Sequence, residues 1–359
     1  MKKNFRIWIY SLVVIGSFLM FTTTCKKGDD GNTPPPPTEK KDYLETSVVS
    51  DITINSALSG GVIHGNLVGT WLSNIGVCSS TSVNPIMGQG YDVLQMYDKE
   101  LFTTVLCDLI PDTKYYIRAH VTGNNSIIYG NEISFMTSKI LPITFNPSIT
   151  YGSMSDQDGN TYKTVTIGTQ TWMAENLKTT KYNDGTSISY ISDADAWYNT
   201  YTPAYCWYNN SIIYKSSYGA LYNGINLSKI SPTGWHIPTK AEWNTLVNFL
   251  GGETIAQGKL KEKGTSHWLS PNTNATNESG FTALPGSIRR YEGDYGQYGH
   301  ILTDGFWWSS DYGAGGGYDS HGRDHKDMYA FTLNYLNFSE YGLCQEDGAS
   351  IRCVKDFLP

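Results

Sequence analysis

The sequence predicts a multidomain chain in which an all-β sandwich precedes an α+β domain. Three observations carry that expectation. Between residues 43 and 139, short segments alternate apolar and polar positions and are separated by turn residues, the period-two signature of half-buried strands. Between 239 and 252 a single well-signalled helix stands out. Beyond 300 the pattern returns to strands with glycine-rich connections, which sets one or two helices against short strands and long irregular loops. The chain of 359 residues is long enough for two domains of ordinary size.

Composition narrows the function classes. A hydrophobic content of 40%, with 13% aromatics, supplies real cores and excludes wholesale disorder. The net charge of −7, on only 16% charged residues, argues against nucleic acid or an anionic membrane surface as partner. Ten tryptophans and 26 tyrosines suit β-rich packing and surfaces that stack on sugars or on other proteins.

The first residues read as an address. Lys2, Lys3 and Arg6 precede an uncharged apolar run from Ile7 to Phe21, followed by Thr22-Thr23-Thr24-Cys25. These are the n-region and h-region of a secretory signal, and the run is short for a membrane span. The stretch resembles the lipobox of bacterial lipoproteins, with Thr24 where a small Ala or Gly is usual. The resemblance implies cleavage before Cys25 and lipidation of its thiol; an uncleaved signal anchor is the alternative. The following "KKGDDGNTPPPPTEKKD" lacks the apolar residues of a core, and Pro34 to Pro37 are expected to form a stiff polyproline II spacer. Asp29-Asp30 resemble the export signals of surface-displayed lipoproteins. The expected divisions are a signal peptide over 1–24, a tether over 25–42, a sandwich over 43–139, a linker over 140–150 and a second domain over 151–359.

Within the sandwich, "YYIRAHV" puts Tyr115, Ile117, Ala119 and Val121 on one face and Tyr116, Arg118 and His120 on the other. Just before it, "LIPDTKY" reads as a tyrosine corner, with Pro111 fixing the turn and Tyr115 placed to bond back to the backbone. "YGNEISFMT" closes the domain, Ile133 and Phe135 facing in. The segments "GVCSST", "LIPDTKYYIRAHVTGN" and "YGNEISFMT" resemble the fibronectin type III-like modules of bacterial surface lipoproteins. That implies a fibronectin/Ig-like spacer or docking domain with no chemistry of its own. His64 and His120 read as strand or surface residues rather than ligands.

In the second domain, Asp156, Asp158, Gly159 and Asn160 imitate the start of an EF-hand loop. A calcium loop would need a glutamate at its twelfth position, where Ile167 stands. A turn, with glycine supplying positive φ, explains "DGN" better. In "SPTGWHIPTKAEW", Thr239 and Glu242 make a capping box, and Trp243, Leu246, Val247 and Leu250 form one buried helical face. Gly251 and Gly252 stop that helix. His236 precedes the cap with no second ligand at helical spacing. "GFWWSSDY" (305–312), "MYAFTLNYLNF" (328–338) and "ASIRCVKD" (349–356) read as three antiparallel strands.

The segments "DQDGNTYKTVTIGTQTWMAENL", "YGALYNG", "SPTGWHIPTKAEWNTLVNFLGG", "GKLKEKG", "NESGFTALPGS", "GFWWSSD" and "SIRCVKD" resemble the Fibrobacter succinogenes major paralogous (FISUMP) domain, over residues ~155 to 356. That family is similar to the C-type lectin-like and sulfatase-modifying-factor fold. The resemblance implies an exported, surface-associated α+β domain of C-type lectin-like fold without an established reaction.

Candidate residues follow from chemistry and from that resemblance. Cys206 and Cys353, in family-like segments, are expected to pair, as are Cys78 and Cys107 within the sandwich, leaving Cys344 as the odd thiol. A redox role for Cys344 and Cys353, as in the formylglycine-generating relatives, lacks a neighbouring histidine. The lectin calcium loop has its nearest match in "LSPNTN", where Ser270 replaces the acid, so that site is not expected. "YDSHGRDHKD" places Asp319, His321, Asp324, His325 and Asp327 in one insertion; they are candidates for a divalent ion, but they meet no fixed ligand spacing, and a solvated polar loop explains them better. Tyr291, Tyr295 and Tyr298, in "RRYEGDYGQYGH", are placed to stack on sugar rings. The function expected is a non-catalytic binding or adhesion module for glycan or protein, on an outer-membrane lipoprotein at the cell surface or the periplasmic face. No cofactor, no metal and no nucleic acid is expected; the membrane is met through the lipid anchor. An enzyme on the modifying-factor fold, or a structural component of a surface appendage, is the alternative.

Overall fold

The fold is described from a computed structural model, in residues 43–65, 72–88, 93–95, 100–123, 126–291, 298–299, 301–318, 324–334 and 338–356. The expected signal, lipidation site at Cys25 and tether lie outside the described residues. Among the described residues no helix is long and apolar enough to cross a membrane.

Residues 43–136 form eight strands: β1 (Tyr43–Thr46), β2 (Ala57–His64), β3 (Leu72–Ser80), β4 (Val93–Gln95), β5 (Leu101–Leu106), β6 (Lys114–Gly123), β7 (Ser126–Tyr129) and β8 (Ile133–Met136). They make two antiparallel sheets, β1-β2-β5 and β4-β3-β6-β7, with β8 also on β6. Alternation decides which side chains face the space between them. Phe102 and Leu106 of β5 point in, as do Ile117, Ala119 and Val121 of β6, meeting Ile75 and Val77 of β3. The tyrosine corner forms: the Ile110 N–H donates to Tyr115 Oη at 3.0 Å. His120, on the outer face of β6, is nonetheless fully buried.

Residues 140–151 are docked rather than loose. Ile140 and Ile143 pack on one core of the second half, and Phe145, Ile149 and Tyr151 on another. The Thr144 N–H donates to Glu262 Oε1 at 2.6 Å, and Leu141 O accepts from His267 Nε2 at 2.8 Å. Glu262 and His267 are themselves bonded at 2.7 Å and wholly buried.

The second half opens with β9 (Gly152–Ser155), β10 (Thr161–Ile167), β11 (Gln170–Met173) and β12 (Ser189–Tyr190). Helix α1 (Ala194–Tyr198), β13 (Ala204–Cys206), α2 (Lys215–Tyr218), β14 (Leu221–Asn223) and β15 (Trp235–His236) follow, then helices α3 (Lys240–Phe249) and α4 (Glu253–Leu260). The chain ends in β16 (Gly305–Tyr318), β17 (Asp324–Leu333), β18 (Phe338–Cys344), β19 (Gly348–Ala349) and β20 (Val354–Lys355). Three sheets result: β15-β20-β11-β10-β9, β12-β13-β14-β19 and β16-β17-β18. The whole is mostly β. Helix α4 begins straight after Gly251 and Gly252, whose φ of 106° and 89° end α3 as their residue type allows.

Two local readings hold in detail. Asp156 Oδ1 accepts from the N–H groups of Asp158 and Asn160, and its Oδ2 from Tyr162 Oη at 2.6 Å, so the carboxylate is spent on a turn whose Gly159 has φ of 80°. Thr239 Oγ1 accepts from Glu242 N, and Glu242 Oε2 from Thr239 N at 2.8 Å, completing the capping box. The buried face of α3 then sets Trp243 into an aromatic core with Trp172, Phe281 and Phe331.

One expectation is corrected. The third strand of the terminal antiparallel sheet is β18, not 349–356. That last segment contains β19 and β20, which belong to the two other sheets, and a parallel bridge joins Ser350 to Trp307 of β16. Its residues alternate like a strand, but their partners are far away in sequence: Leu177 N donates to Ile351 O and Met173 N to Cys353 O.

Candidate functional site

Where the sandwich meets the second half, a cleft of about 470 Å³ opens. The loop before β2 supplies Asn55 and Ser56, and the loop after β5 supplies Cys107 and Asp108. From the other side come Asn209, in the turn after β13, and Tyr298, Ile301, Leu302 and Thr303, ahead of β16. The volume falls in the usual range of small-ligand sites, and junctions between structural units are common places for them. Beneath it, Ile54 of the sandwich packs with Tyr208, Tyr214 and Leu302.

The backbone of this cleft is unusual. Asp108, Asn209 and Leu302 have φ of 54°, 47° and 75°. Asp and Asn tolerate the left-handed region; leucine does so at a cost of about 1–3 kcal/mol, and such strain concentrates where binding groups must be aimed. Tyr298 is fixed from both ends. Its hydroxyl donates to Asn210 Oδ1 at 2.7 Å, and its ring packs edge-on to Tyr208 at 5.2 Å. Burial pushes the Tyr298 hydroxyl's pKa well above that of an ordinary phenol.

The other tyrosines and the Asp/His residues meet elsewhere. Tyr291 is buried, lying 4.7 Å from the His325 ring and stacked on Tyr198. His325 Nδ1 is 2.9 Å from Glu346 Oε2, and Asp327 Oδ1 accepts from Cys344 Sγ at 3.9 Å. Asp347, beside them, accepts from Tyr291 N at 3.0 Å and pairs with Arg290; burial raises its pKa to about 6 despite the arginine. Tyr291 thus sits in the small core with Trp197, Ala204 and Leu221, edged by polar groups, instead of on a stacking surface. Among the described residues no group of three His, Cys, Asp or Glu side chains is arranged to hold a metal. Asp324 starts β17, while Asp319, His321 and Tyr295 lie outside the described residues.

The expected disulfides are not formed. Cys78, Cys107, Cys206, Cys344 and Cys353 are free thiols. Cys206 belongs to the small core around Trp197 and Cys353 to the large one around Tyr222, so a shared family segment does not bring them into contact. Cys78 is buried on β3 with its Sγ bonded to Pro85 O, whereas Cys107 sits at the cleft. Burial pushes the thiols of Cys107, Cys206 and Cys353 up, and that of Cys344 to about 12.

His236 carries a geometry the helical spacing did not reveal. Its Nδ1 is 2.7 Å from Asp356 Oδ1 and its Nε2 is 2.8 Å from Glu242 Oε1, so Glu242 caps α3 with one oxygen and holds the imidazole with the other. Burial disfavours the charged ring, but the two carboxylates prevail and raise its pKa. An open pocket of about 460 Å³ lies beside it, walled by Trp235, Asn183 and Asp356.

No curated protein sequence matches the chain significantly. Among solved structures, the sensor domain of the anti-sigma factor RsgI4 from Pseudobacteroides cellulosolvens is 19% identical, covering 29% of this chain and 99% of that one, with a TM-score of 0.23. A fibronectin type III domain from human KIAA0970 protein is 20% identical, covering 32% of this chain and 85% of that one, with a TM-score of 0.22. The model of the Fibrobacter succinogenes major domain matches residues 165–355, more than half of the sequence. The chain belongs to the Fibrobacter succinogenes major domain family.

Proposed function

We propose that the protein is an exported lipoprotein, anchored through Cys25, that acts as a non-catalytic binding or adhesion module for a glycan or a surface protein. On this reading the 43–139 sandwich is a fibronectin type III-like spacer, and the second half takes the C-type lectin-like, modifying-factor-like fold. The observation that carries it is the junction cleft, with polar groups from both halves converging on one cavity. The N-terminal pattern supports anchoring in the outer membrane, with display at the cell surface or the periplasmic face. The thiols weigh against a redox enzyme, since burial keeps the sulfurs of Cys206, Cys344 and Cys353 protonated at neutral pH.

Two measurements test the reading. Metabolic labelling with an alkyne fatty acid should mark the wild-type protein and not Cys25→Ser. Full-length protein in detergent should be retained on immobilised glycans or extracellular matrix proteins, with EDTA making no difference; loss of all retention would sink it.

A further inference from the structure

We infer that the open edge of β9, with the groove beside it, is a docking site for an extended acidic segment of a partner protein. The inference rests on the binding-module reading and adds to it a partner class, at a place separate from the junction cleft. β9 ends its sheet, with β10 on one side and no strand on the other among the described residues. The Asp156 N–H donates to Asn160 O at the turn, so the hydrogen-bonded pairs of this hairpin are Met154 with Tyr162 and Gly152 with Thr164. Ser153 and Ser155 therefore turn their N–H and C=O groups outward, where no group bonds to them among the described residues. Sheet edges are commonly blunted by lysine, proline or a bulge, and Gly152–Ser155 carries none of these.

Alongside lies a groove in two parts. The first, of about 510 Å³, is walled by Tyr151, Ser153, Thr161 and Lys163. The second, of about 370 Å³, is walled by Leu141, Pro142 and Phe145, the first two exposed. The parts adjoin, since Glu175 borders both and the Phe145 ring packs edge-on to Tyr151 at 5.4 Å. Lys163 decides the charge of the occupant. Its ammonium lies 5.0 Å from the Phe145 ring and 5.3 Å from the Tyr151 ring, and among the described residues it pairs with no carboxylate. Glu175 is already committed, its Oε1 to the Lys163 backbone N–H at 2.7 Å and its Oε2 to Lys178 Nζ at 3.8 Å. A carboxylate brought by the partner would meet an ammonium whose donors are all open. The backbone edge favours an extended peptide over a saccharide, and the exposed linker residues suit apolar side chains beside the acid.

The test takes the full chain in detergent and titrates it, by fluorescence anisotropy, into labelled valine-threonine peptides of about eight residues. One set carries glutamates, a second carries lysines in their place, and a uronic oligosaccharide is the third probe. The variants are Lys163→Gln and Ser153→Pro; the proline removes an outward N–H and leaves the ladder to β10 intact. The expected result is binding of the acidic peptides alone, weakened about tenfold in each variant with an unchanged thermal midpoint. Amide exchange at Ser153 and Ser155 in the wild type should also slow when the peptide is bound, a readout that stands if the proline variant unfolds. Equal binding of the basic peptides, no effect of Lys163→Gln, or unslowed exchange would overturn the site. Binding of the uronic oligosaccharide alone would overturn the peptide class. Retention on immobilised glycans or matrix proteins with no peptide bound would reject this inference and keep the module; no retention of any kind would reject both.

Discussion

At His236 a single imidazole is gripped by Asp356 and Glu242, and the form both carboxylates favour is the protonated one. Its raised pKa means that the folded state holds this proton more tightly than the unfolded chain. The stabilisation is therefore complete below about pH 6.5 and fades as pH rises through the folded value. Urea unfolding of wild type and His236→Gln at pH 5.5 and 8.5 should show a gap between them that narrows at the higher pH. Asp347 obeys the same sign in a lower window. With its pKa near 6, the folded protein keeps a proton that the unfolded chain has already lost, so stability declines between about pH 4 and pH 6. Asp347→Asn should flatten that part of the profile, and the carboxyl carbon of Asp347 should titrate near pH 6 by NMR.

Helix α3 is readable because everything that defines it lies between Thr239 and Gly252. Thr239 and Glu242 are three apart, and the buried set repeats at the helical period. Thr239→Ala should cost about 1 kcal/mol in chemical denaturation without moving α3. The strands of the sandwich were readable for the same reason, since alternation is local. What escaped is what depends on distant partners. Asp356 reaches His236 from the far end of the sequence, and 349–356 reads as one strand although its ends join two different sheets. The cysteine pairs failed because family likeness orders segments along the chain, and burial then sorted Cys206 and Cys353 into separate cores. At the cleft, Tyr298 is legible from its own chemistry, while Asn55, Asp108 and Asn209 sit in turns whose meeting no spacing announces. Nothing in the residue type foretells a leucine at φ of 75°.

Across the whole molecule, the buried Glu262–His267 pair holds the connection between sandwich and second half. Glu262 takes the Thr144 N–H and His267 the Leu141 carbonyl, so the stretch is clasped at two points. Glu262→Ala leaves the buried His267 imidazole and the Thr144 N–H without their acceptor, a change of about 1–3 kcal/mol. It should lower the thermal midpoint and expose residues 140–150 to limited proteolysis before either half is cut. The segment 348–356 has a different reach. Val354 sits between Trp172 of β11 and His236 of β15, and the Ser350 backbone bonds to that of β16. Strands made early are thus parted by one made late. Order of synthesis then becomes a property of the fold: this sheet cannot be zipped while the ribosome is still working through the domain. A chain delivered through a secretory channel as an open thread would stay open until its closing stitch arrives.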